Sequence, residues 1–96
     1  RFASLVPAWD ESAVIGPMLA RLTGSLPDPA LRIFVGVYPN DPATEGAVRS
    51  VPDPRVRAVV TSRPGPTTKA DCLNHLWRAV VAHEAATGER FKAVLL

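Results

Sequence analysis

Four short apolar runs set the limits on what this chain can become: FASLVPAW at 2–9, LRIFVGVY at 31–38, RVRAVVTS at 55–62 and FKAVLL at 91–96. Each is too short for a packed helix and the right length for a strand buried on both faces. The second is rich in branched and aromatic residues. Proline, glycine, asparagine and aspartate punctuate them, in Pro7, the PNDP turn, Pro54 and the RPGP loop.

The intervening segments carry helical period. In DESAVIGPMLARLTGSLPDP, Val14, Met18 and Leu22 recur at steps of four with Ile15 and Leu19 beside them, and Asp10 or Ser12 is placed to cap the start. Gly24 and the stretch from Pro27 to Pro29 end it. Pro17 kinks this helix, at about 3 kcal/mol, unless it falls in the first turn. DPATEGAVRSV predicts a short helix begun by Asp41 with Pro42 in the first helical position. TTKADCLNHLWRAVVAHEAATG gives the clearest helix, with Leu73, Leu76, Trp77, Val80 and Val81 on one face and Gly88 as its stop. Thr68 and Asp71 have the spacing of a capping box, with Asp in place of the usual Glu or Gln. Strand alternating with helix predicts an α/β fold: an open, mostly parallel sheet of four strands with two or three helices on both faces, joined by right-handed crossovers.

With 96 residues the chain makes at most one small domain. Both ends read as cut, since it opens at Arg1 without methionine and stops inside an apolar run. A fragment of this kind leaves the edge at AVLL exposed, a route to self-association. The net charge of +2 comes from 11 basic and 9 acidic residues scattered without a like-charge run, which argues against nucleic acid as partner. Cys72 is the single cysteine, so the chain builds neither a disulfide nor a cysteine-based zinc site, and a reducing compartment fits. No apolar stretch approaches the roughly 20 residues of a membrane span.

In an open parallel sheet, ligands bind where loops leave the carboxyl ends of the strands. Those loops are PAWDE, YPND and SRPGPTTK. Lys69, in the first turn of the last helix, sits beside backbone N–H groups of partial positive charge, a placement disfavoured by up to about 1 kcal/mol. Either it reaches solvent or pairs with Asp71 or Asp41, or a phosphate-bearing ligand is attracted by the helix end and the ammonium together. Asp10 and Glu11 are helix-capping residues or acceptors for a base or ribose. Asn40 and Asp41 are a turn and cap signal or serve the same ligand. Tyr38 and Trp9 are core or rim, with a ring face to offer a base. His75 and His83, eight apart, lack the spacing of a helical metal pair and read as ordinary histidines. Burial is the default for Cys72.

SLVPAWDESAVIG, YPNDPAT and GPTTKADCLN, in that order, resemble the N-terminal, donor-binding half of a family 2 glycosyltransferase of GT-A fold. Within that family the resemblance is to a bacterial inner-membrane, phage adsorption protein B-like group, and it runs over essentially all of residues 1–96. PAWDE is similar to the family's Pro-Thr/Ala-Tyr-Asn-Glu segment and KADCLN to its Lys-Ala-x-x-Leu-Asn segment. The resemblance implies a nucleotide-diphospho-sugar donor, a UDP-sugar, whose hexose passes to a saccharide or lipid acceptor. By position, Pro7, Ala8 and Glu11 line the nucleoside site and Lys69 faces the phosphates, with Arg63 matched by loop position. Where typical members carry Asp-Asp-Gly-Ser after the second strand, this chain has Gly-Val-Tyr-Pro, and Asn40, Asp41 or Tyr38 is the substitute. The family's acidic metal motif is expected to follow the fourth strand. A divalent cation, manganese or magnesium, is thus expected for the full-length enzyme and none for this fragment, which supplies no catalytic residue. The implied location is the cytoplasmic side of a bacterial inner membrane, with membrane contact only through other segments. A non-catalytic interaction module keeping the same fold is the alternative. A generic Rossmann-like binder is disfavoured by the absent glycine fingerprint.

Overall fold

The computed structural model describes residues 2–62, 64–65 and 68–95, and for Lys69 and residues 93–95 the backbone alone. Strand and helix alternate throughout: β1 (Phe2–Pro7), α1 (Ile15–Ser25), β2 (Arg32–Val37), α2 (Pro42–Arg49), β3 (Val56–Val60), α3 (Lys69–Thr87) and β4 (Lys92–Leu95). The four strands form one sheet in the order β3-β2-β1-β4. Every pairing is parallel, with Leu5 opposite Phe34, Val35 opposite Ala58 and Ala3 opposite Ala93.

Both faces of the sheet are covered, as the near-continuous apolar strands require. Side chains alternate along β2: Ile33, Val35 and Val37 join Ile15, Leu19 and Val48 beneath α1 and α2. Phe34 and the following Tyr38 turn the other way, packing with Leu5, Cys72, Leu76 and Val80 beneath α3. The chain steps from β1 to β3 with its helices on one face, then returns to β4 with α3 on the other. Reversing both direction and face keeps all three crossovers of one hand.

The helix limits follow local chemistry. Asp41 caps α2, accepting from the Thr44 N–H, and Pro42 occupies the first turn. Thr68 caps α3, its hydroxyl accepting from the Asp71 N–H at 3.1 Å, and Gly88 ends it in the left-handed region at φ 77°. Pro17 is the third residue of α1, so it falls in the first turn and displaces no helical bond.

Two expectations are corrected. Neither Asp10 nor Ser12 caps α1, which starts later, behind Val14, with no side-chain cap. The Glu11 carbonyl instead accepts from the N–H groups of Val14 and Ile15 at 3.0 and 2.9 Å, while Asp10 is drawn away at φ 53°. On α3 the buried stripe is Cys72, Leu76 and Val80, whereas Trp77 and Val81 are each 45% exposed. The reason lies in β2. A Cβ on Gly36 would stand 2.6 Å from Cys72 Sγ and 3.3 Å from Leu76, so the missing side chain admits α3 along the 72/76/80 line.

Candidate functional site

Parallel strands joined by helices put every helix N-terminus at the carboxyl edge of the sheet. Three loops meet there. After β1, the Ala8 N–H donates to the Gly36 carbonyl at 2.9 Å, continuing the ladder beyond Pro7. Ala8 itself is buried in the α1/α2 core, and Pro7 is half-buried beside Gly36 in register. Trp9 turns outward, 36% exposed, and meets the buried Tyr38 edge-on, with ring centroids 5.4 Å apart and planes at 87°.

Side chains tie the loops together. Asp41 Oδ2 accepts the Asp10 N–H at 2.7 Å, and Asp41 Oδ1 accepts the Thr44 N–H at 3.4 Å. The buried Thr44 accepts the Glu11 N–H at 3.0 Å and bonds through its side chain to the Asp41 carboxylate. Burial alone would raise the Asp41 pKa; the bonds from Asp10 and Thr44 outweigh it and hold the carboxyl below its ordinary value. Asn40 grips the third loop in both directions, Nδ2 donating to the Gly65 carbonyl at 2.9 Å and Oδ1 accepting the Gly65 N–H at 2.8 Å. That brings the Gly65 backbone onto the aromatic pair, where a Cβ would lie 2.6 Å from Tyr38 and 3.0 Å from Trp9. Thr61 extends β3 by donating to the Val37 carbonyl at 2.9 Å.

The structure therefore joins Glu11 to Asp41 through Thr44, and Asn40 to the loop that precedes α3. Lys69 is the first residue of α3; its side chain, like all of Arg63, lies outside the described residues. Thr44, Ser62 and Gly65 complete this edge without having been singled out by the sequence. Gly65 carried a signal, as the glycine of a Pro-Gly-Pro loop, whereas a threonine inside an Ala-Thr-Glu segment carried none. Burial pushes the Cys72 thiol up from its ordinary value, against a bond to Tyr38, and the sulfur packs against Gly36. A cavity of about 460 Å³ lies elsewhere, along the outer edge of β3 between Val48, Arg57 and Ala79. It follows from the edge position of that strand, and none of Trp9, Asn40, Asp41 and Ser62 lines it.

A doubly covered parallel sheet with its polar loops gathered at one edge defines an open α/β protein with helices on both faces. The chain belongs to the glycosyltransferase-like family 2, whose model matches residues 1–96. It is 44% identical over 96 residues to bacteriophage adsorption protein B of Escherichia coli K12, covering 98% of this chain and 13% of that protein. It is equally similar to bacteriophage N4 adsorption protein B of Escherichia coli O157:H7, at 44% identity over the same shares. The chain thus spans 13% of the length of these curated relatives. No solved structure matches it.

Proposed function

We propose that the carboxyl edge of the sheet binds a nucleotide-diphospho-sugar, a UDP-sugar, as the donor site of a glycosyltransferase passing a hexose to an acceptor hydroxyl. The observation that carries the reading is the meeting of three helix N-termini with an aromatic pair, Trp9 and Tyr38, on one edge. Helix N-termini present N–H groups and partial positive charge, which suit a diphosphate. A half-exposed ring suits a base. In this reading Pro7 and Glu11 lie beside the nucleoside and Ala8 shapes the loop from within the core. Asn40 and Asp41 set the second loop, and Lys69 meets the phosphates.

A divalent metal, manganese or magnesium, belongs to the same reading for the whole enzyme. Among the described residues no three of His, Cys, Asp and Glu stand together to hold one. Among them, too, no helix is long and apolar enough to cross a membrane. The reading places these residues on the cytoplasmic side of a bacterial inner membrane, as one domain of a membrane protein. A non-catalytic interaction module is the second reading, favoured by the engagement of Asn40 and Asp41 in bonds between loops.

Calorimetric titration of UDP into the full chain, with and without manganese, tests the proposal. Binding is expected, and Lys69→Ala should weaken it about tenfold, the scale of one charge-assisted bond. Absence of binding in both conditions removes the donor reading and favours the module, whereas UDP affinity indifferent to Lys69→Ala removes the phosphate role of Lys69.

A further inference from the structure

Where the loop after β3 meets α3 stands a group of polar side chains that the donor reading does not use. Ser62, exposed one residue beyond the end of the β3 ladder, has its hydroxyl 2.8 Å from His75 Nε2. His75 Nδ1 lies 2.9 Å from the main-chain carbonyl of Asp71 and 3.9 Å from that residue's Oδ2. This Oδ2 is buried and has no hydrogen-bond partner. Among the described residues, Ser62 from the loop and Asp71 from α3 are the groups facing the ring.

The partners fix most of the proton positions. A carbonyl only accepts, so Nδ1 carries hydrogen in either charge state. With the ring neutral, Nε2 accepts and the Ser62 hydroxyl donates to it, leaving only oxygen lone pairs facing outward. With the ring charged, Nε2–H donates to the Ser62 oxygen, and the hydroxyl hydrogen is free to donate to something else. An ion pair across the gap to the orphaned Asp71 oxygen also exists only in that state. Protonation of the ring therefore changes the outward face of Ser62 from acceptor to donor.

We infer that Ser62 contacts the diphosphate of the donor and that His75 is the positioning residue that turns its hydroxyl toward the phosphate when the ring is charged. The inference rests on the donor reading above, and it adds a proton to the binding step. A phosphate oxygen accepts hydrogen bonds and offers none at neutral pH, so it pairs with Ser62 only in the donating state. Uridine has no such group and takes no part in the linkage.

The test is calorimetry on the full chain with UDP and with uridine, between about pH 8 and about pH 6, the range in which histidine titrates. From the higher to the lower pH, UDP affinity is expected to rise about tenfold more in the wild type than in His75→Gln or Ser62→Ala, the scale of a charge-assisted hydrogen bond. The ionisation of UDP itself is common to all three proteins. Uridine affinity should change equally in all three. Parallel UDP profiles in the wild type and His75→Gln overturn the inference while leaving the donor reading intact. Failure of UDP to bind at any pH overturns both. Should either variant fail to fold, nitrogen-15 resonances of the His75 ring in the wild type decide the matter. They should move toward the doubly protonated pattern on adding UDP near neutral pH, and resonances that do not move refute the inference.

Discussion

The two edges of the sheet are built from opposite chemistry. At the amino edge, Arg55 spreads its guanidinium over the end of α1: Nη2 donates to the Thr23 carbonyl at 2.8 Å and Nη1 to Asp28 at 2.9 Å and to Leu26. Asp53 holds the same side chain, with Oδ2 2.8 Å from Nη2. Arg32 repeats the pattern nearby, its Nη1 donating to the carbonyls of Pro29 and Leu31 at 2.8 and 2.9 Å. At the carboxyl edge the side chains accept instead: Asp41 from Asp10 and Thr44, Thr44 from Glu11, Thr68 from Asp71. The difference follows from the fold. Helices that run against parallel strands leave unpaired carbonyls at one edge and unpaired N–H groups at the other. Arginine serves the first and carboxylate, hydroxyl or amide the second. The second edge is the one that carries the partial positive charge of helix N-termini.

Removing the arginine gives the largest expected effect. Arg55→Ala strips partners from three carbonyls and from Asp53, and should lower stability by about 2–4 kcal/mol in urea unfolding. Arg55→Lys should recover less than half, because an ammonium cannot span the same fork. A loss under about 1 kcal/mol for the alanine variant would show that the amino edge closes without its guanidinium.

Asp41→Ala attacks the other edge and should cost about 1–2 kcal/mol, the value of a helix cap and a bridging bond. Its sign with pH is set by the lowered pKa. The ionised carboxyl contributes stability that is complete above the unfolded value, near 3.8, and is lost as pH falls through the depressed folded value. Wild type should therefore lose its advantage over Asp41→Ala on acidification below about pH 4, as urea midpoints measured down the pH scale will show. An advantage constant with pH would mean that the carboxylate charge is irrelevant to the latch.

The smallest effect concerns the backbone at the carboxyl edge. Asp10 holds φ 53°, which glycine adopts without side-chain strain, while its N–H to Asp41 survives the exchange. Asp10→Gly should raise the thermal midpoint slightly, by a stability of about 0.5–1 kcal/mol. A clear drop would show that the aspartate side chain contributes more than its strain removes.

Much of the architecture was legible because it rests on local signals. The branched runs, the Asp41-Pro42 and Thr68 starts and the Gly88 stop are properties of neighbouring residues, and all of them stand in the structure. What escaped depends on partners far along the chain. Asp10 looks like a cap until Asp41, 31 residues away, takes its N–H. Trp77 and Val81 look like core until Gly36 fixes the angle at which α3 arrives. Asn40 reads as a turn residue, and its grip on Gly65 spans 25 residues that no periodicity links. His75 had no spacing to mark it, because its partner Ser62 sits before the helix rather than on it.

The slot at Gly36 has a chemical corollary. Cys72 Sγ fills the space that a methyl group would need, and the residue is 0% exposed. An oxygen added to a sulfur buried at that contact would press on β2, so oxidising or capping the thiol works against the docking of α3 on the sheet. Redox chemistry at this position is thereby coupled to the packing of the long helix.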